Sequence, residues 1–219
     1  MSPGIVKKSL LWAGTVAAAV PCFYLCFVLI GVWRDPLAWD DGNWVRFGVG
    51  LMLLEFVLIH SGTFLGAFLV TKAVKLKQRL QIIAVLMVFY SVLVLGTALS
   101  LDSMELLVIF GTVSLGRIAI LFDDSEQSGQ LLLARSAVGM ILYLLVVMAS
   151  IFLPLPQWGL SGEVLNQVYP DRGSGVWEQE PQRALAGAAI YFFCMGLVEL
   201  FLLNPLATHT HNKQVTDSE

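Results

Sequence analysis

Apolar positions along the chain gather into six long runs, at about 10–33, 45–71, 80–99, 104–122, 131–153 and 183–203. Each approaches the ~20 residues an α-helix needs to cross the ~30 Å hydrocarbon core of a bilayer. Polar breaks separate them. Residues 34–43 carry Pro36, Asp40, Asp41 and Gly42 and read as a loop. Lys72, Lys75, Lys77 and Arg79 follow the second run, and 100–103 with Asp102 reads as a tight turn. The segment 123–130 is an acidic loop, and Pro154 and Pro156 close the fifth run. The longest polar segment is 157–182, with a short interfacial helix expected at about 161–168; Asn204 and Pro205 stop the last run. The pattern predicts an all-α, polytopic integral membrane protein, a bundle of six transmembrane helices forming one domain over 1–219.

Composition strengthens this reading. Of 219 residues, 57% are hydrophobic and 13% charged, and the mean hydropathy is +0.77. A soluble domain carries about 25% charged residues. The net charge of −3 gives no reason to expect a nucleic-acid partner. Cys22, Cys26 and Cys194 all fall in apolar runs and read as packing residues. Lys7 and Lys8 before the first run mimic a signal peptide, but that run is too long for a signal core, so it is expected to be retained as a span. Pro21 in its middle predicts a kink.

Charge distribution orients the bundle. Six spans put both chain ends on one side. Lys7, Lys8, Lys72, Lys75, Lys77, Arg79 and Lys213 then share that side, against Arg34, Arg46, Arg172 and Arg183 on the other. The positive-inside rule makes the lysine-rich side cytoplasmic, an N-in, C-in topology. Trp33, Trp39, Trp44, Trp158 and Trp177 fall at the opposite face, half of an aromatic belt. Compactness and charge bias point to a plasma membrane of the bacterial inner-membrane kind.

Candidate chemistry lies where ionisable groups enter the apolar runs, because such groups are expensive there. Glu55 is roughly 16 Å along the helix from Trp44, near mid-membrane. His60 lies one and a half turns deeper and points about 140° away from it, at 100° per residue. Gly62 and Gly66 line up with Glu55 as a small-xxx-small pair that lets a second helix approach closely. Arg117, Arg135 and Glu199 are expected in the cytoplasmic third. There the arginines can reach the interface or pair with Asp123, Asp124 or Glu199. His209 and His211 in the tail form an HxH pair that reads as solvated rather than as a metal site.

Three functions fit this pattern. The first is ion- or proton-coupled translocation of a small solute through a bundle centred on Glu55 and His60, with a polar track toward Arg117, Arg135 and Glu199. The bundle is small for a full gated pathway, so a homo-oligomer is expected with it. The second is a non-catalytic subunit or scaffold binding a partner membrane subunit, lipid or a cofactor, with Glu55 and the glycine pair as assembly contacts. The third is an intramembrane enzyme with His60 as general base and the arginines holding a lipid head group. It ranks last, because no second span supplies a nucleophile or a metal-ligand set, and neither HExxH, GxSxG nor a Walker sequence occurs. The sequence names no cofactor and no catalytic residue; the bilayer is its one expected partner in every reading.

Overall fold

A computed structural model describes residues 3–70, 76–120 and 126–203. Eight α-helices occur among the described residues, with no strand: α1 (Pro3–Arg34), α2 (Asn43–Val70), α3 (Leu76–Ser100), α4 (Glu105–Ile120), α5 (Glu126–Phe152), α6 (Gly162–Val168), α7 (Val176–Gln179) and α8 (Pro181–Val198), which runs on into a π-helical turn, Glu199–Leu203. Five of them, α1, α2, α3, α5 and α8, are long and apolar enough to cross a membrane, as in a multi-pass membrane protein. The segment expected as the fourth span is present as α4. Its 16 described residues rise about 24 Å.

Two helices extend beyond their apolar runs, and the second does so against the expected loop. The helix of the first run begins at Pro3, and α5 begins at Glu126, inside the stretch expected as a loop over 123–130. Hydropathy marks where a helix leaves lipid, not where it stops. Lys, Glu and Gln are good helix formers and carry the backbone past the apolar stretch. Helix α6 falls where a short helix was expected, with the Ser161 side chain accepting from the Val164 N–H at its first turn.

The C-terminal ends of α1, α3 and α5 meet the N-terminal ends of α2, α4 and α8 at one end of the bundle, under a cap built from 34–43, 101–104 and 153–180. Arg46, at the start of α2, ties this cap together. Its Nε donates to the Val168 carbonyl (3.2 Å), its guanidinium lies over the Tyr169 ring, and Nη1 is 3.8 Å from Asp102. Burial pushes the Tyr169 hydroxyl above its ordinary value. At the other side of the cap, the Arg183 guanidinium donates to the carbonyls of Ser150, Ile151 and Leu153 and pairs with Glu180. A cation thus closes the last turn of α5, where unpaired carbonyls and the helix dipole favour positive charge. Trp33 stacks on Trp158 at 3.9 Å and donates to the Pro156 carbonyl.

Helix α2 is the centre of the bundle. It packs most extensively on α5 and also touches α8, α3 and α4, while α1 lies along α8. A Cβ added at Gly66 would sit 2.9 Å from the Leu133 backbone nitrogen, so the glycine permits backbone-to-backbone approach of α2 and α5. The outward faces are apolar: Val85, Val88, Phe89 and Val92 of α3 and Leu144, Leu145 and Phe152 of α5 are exposed. A continuous apolar exterior of this kind suits lipid rather than water.

Candidate functional site

Glu55 sits midway along α2, one turn beyond Leu51, on the side that faces α1 and α8. Its Oε1 accepts a hydrogen bond from the Tyr191 hydroxyl at 2.7 Å. Tyr191 belongs to α8 and is fully buried, so its hydroxyl needs a partner inside the bundle. Tyr143 of α5 packs its ring edge-on to Tyr191 and donates to the Met52 carbonyl (3.1 Å), one turn before Glu55. Two tyrosines from two helices thereby fix the turn of α2 that carries the carboxyl. Gly139, one turn before Tyr143, leaves room for the Tyr191 hydroxyl; a Cβ there would lie 3.4 Å from it.

The carboxyl is not sealed in a seam. Glu55, Arg135, Ser136 and Tyr191 line one partly open cavity of about 460 Å³, whose other walls are mostly apolar side chains of α1, α2, α4, α5 and α8. Pro21 and Cys22 contribute the α1 wall, so the expected kink position of that helix faces the cavity. A volume of this size lies in the range of small-molecule sites, and its makeup, apolar walls with a few convergent polar groups, is typical of them.

Arg135 pairs with Glu199 at 2.6 Å. Glu199 is buried at the junction of α8 with the π-helical turn, and Arg135 is half exposed. Of the inner cluster expected from the sequence, these two come together. Arg117 lies in α4, but its side chain is outside the described residues, as are Asp123, Asp124, His209 and His211.

His60 is elsewhere. Its Nδ1 shares a 2.8 Å hydrogen bond with the Tyr90 hydroxyl of α3, and its ring is flanked by Phe56 and Phe64 of its own helix. The expected track from Glu55 through His60 is therefore not built on one cavity: His60 faces α3, while Glu55 faces α1, α5 and α8. The physical reason is the helical angle between positions 55 and 60. Gly66 accommodates α5, as described above, and Gly62 is buried on the same helix.

Sequence reasoning missed the tyrosines. Tyr90, Tyr143 and Tyr191 each fall deep in an apolar run rather than at its ends, where amphipathic rings gather at the membrane interface. A hydroxyl so placed needs a buried acceptor, and that was the available signal. Among the described residues no group of His, Cys, Asp and Glu could hold a metal ion. Comparison with known proteins finds no matching family model, no matching curated protein and no matching solved structure.

Proposed function

We propose that this chain is a six-span, N-in, C-in carrier of the inner-membrane type that couples proton movement to passage of a small solute, with Glu55 as the proton-linked group. The observation that supports this reading is the position of Glu55: a carboxyl deep in an apolar helix, held by Tyr191, on the wall of a cavity of about 460 Å³. Ionisable groups at such positions mark solute and proton pathways. Relative to the sequence expectation the centre moves from Glu55 with His60 to Glu55 with Arg135. His60 becomes a packing residue between α2 and α3. In the alternative reading, a non-catalytic subunit or scaffold, Gly66 is an internal contact, since it receives α5 of the same chain.

Dicyclohexylcarbodiimide, an apolar reagent that reacts with protonated carboxyls, tests this on the purified protein in lipid. Mass spectrometry of the digested product should place the adduct on Glu55, with a rate that falls as pH rises. A Glu55 that stays unmodified at every pH, while the protein remains folded, would overturn the reading.

A further inference from the structure

The chamber that holds Glu55 is partly open, and the exposure of its lining residues shows on which side. Apart from Glu55, those from α2 and α8 are buried, Leu51, Ile59, Tyr191 and Met195 among them. The lining residues that keep surface come from α1, α4 and α5. Pro21 is exposed, Val113 is half-buried, and the Arg135 side chain is 47% exposed. Helix packing agrees. Among the described residues α4 packs on α2 and α3, α1 lies along α8, and α5 packs on α2 and α8. No extensive contact joins α4 to α1 or to α5, so the chamber wall is interrupted beside α4.

This open side lies at the depth of the hydrocarbon layer. At about 1.5 Å per residue, Val113 is about 12 Å from the cap end of its helix, Pro21 about 20 Å and Arg135 about 26 Å. Trp44 and Trp158 mark the cap end as an interface, and the core of a bilayer is ~30 Å thick. The surface around the opening is apolar: Val16, Val20 and Tyr24 of α1 and Val108 and Leu115 of α4 are exposed. A molecule that enters here comes from lipid, not from water. What it meets is a hydrogen-bonding site whose charges are already engaged. Arg135 pairs with Glu199, and Glu55 accepts from Tyr191. A guanidinium has five N–H donors and a bidentate carboxylate takes two of them, so Arg135 can donate to a carbonyl without leaving its partner. Most of the remaining wall is apolar.

We propose that the solute is an uncharged, lipid-dissolved carbonyl compound that enters the chamber sideways from the bilayer, beside α4, with its carbonyl accepting from Arg135. This names the solute class for the carrier reading above and rests on it. The apolar walls take the body of the solute. Being uncharged, it brings no ion that would compete with the Arg135–Glu199 pair.

The test uses the full chain in lipid nanodiscs and 4-decylbenzophenone, an uncharged, lipid-soluble ketone that crosslinks to nearby C–H bonds under near-ultraviolet light. Mass spectrometry of the digest should place adducts on the chamber residues of α1 and α5, saturating as the ratio of probe to lipid rises. Ala18→Trp and Val113→Trp add bulk to lining residues on opposite sides of the opening and should each cut this labelling severalfold; if one fails to fold, the other decides. Val20→Trp, the same bulk on the lipid face of α1, should leave it unchanged. Arg135→Leu combined with Glu199→Leu removes both members of the ion pair, a change that folded proteins tolerate. It should weaken the saturable labelling about tenfold, the worth of a hydrogen bond to a charged group. Wild-type labelling in that double variant would overturn the carbonyl contact, and wild-type labelling in both tryptophan variants of the opening would overturn the sideways route. Stronger chamber labelling by water-soluble benzophenone-4-sulfonate would overturn the uncharged, lipid-borne assignment. Carbodiimide labelling of Glu55 without saturable benzophenone labelling would sink this inference alone; loss of both would sink the carrier reading with it.

Discussion

A single hydroxyl decides how Glu55 sits. Removing it in Tyr191→Phe takes away a buried hydrogen bond worth roughly 1–3 kcal/mol and leaves the ring in place. Thermal unfolding in detergent should shift down by a few degrees, and carbodiimide modification of Glu55 should become faster, since the carboxyl is freed toward the cavity. Slower modification with unchanged stability would mean that Tyr191 does not hold Glu55. At this scale the sequence was legible in part. Glu55 and His60 stand out because charge is rare in a run such as Trp44 to Val70, and their angular separation is fixed by the helix. Tyr191 did not stand out, because a tyrosine in an apolar run reads as bulk until its hydroxyl is seen to have a partner. Arg135 and Glu199 were each visible, but 64 positions separate them in the chain, and only the packing of α5 beside the end of α8 makes them a pair.

The elements are held by glycines of very different consequence. Gly66 meets the Leu133 backbone at 2.9 Å, and a backbone in a packed helix cannot yield as a side chain can. Gly66→Ala should therefore destabilise the α2–α5 pair by about 1–3 kcal/mol. Gly96 of α3 has nothing within 4 Å of an added Cβ. There Gly96→Ala should be neutral or stabilise by up to about 1 kcal/mol, through helix propensity alone. Thermal denaturation of both variants checks this; equal effects would mean that α2 and α5 are not in backbone contact. The existence of the long helices was readable from hydropathy, and the glycine pair 62 and 66 from its spacing. Which helix fills the seam was not, because a small-xxx-small face is the same whether its neighbour comes from one chain or two. Helix α5 begins inside the stretch expected as a loop, at Glu126, for the reason given above: polar helix formers extend a helix beyond the stretch that lipid selects.

For the whole molecule, all the cap segments gather at one end, and the proposed N-in, C-in topology makes that end extracytoplasmic. Cysteine scanning in cells, with Cys22, Cys26 and Cys194 replaced by alanine, should find Ser174→Cys labelled by an impermeant reagent from outside and Lys75→Cys protected. The reverse pattern would invert the bundle. In the proposed carrier, Glu55 exchanges its proton with water from within the chamber. Infrared difference spectroscopy on the protein in lipid, wild type against Glu55→Gln, measures this most directly. A carboxyl band that is absent from the variant should respond to the pH of the medium. A Glu55 band that stays fixed at every pH would show a sealed structural contact and contradict proton exchange at Glu55.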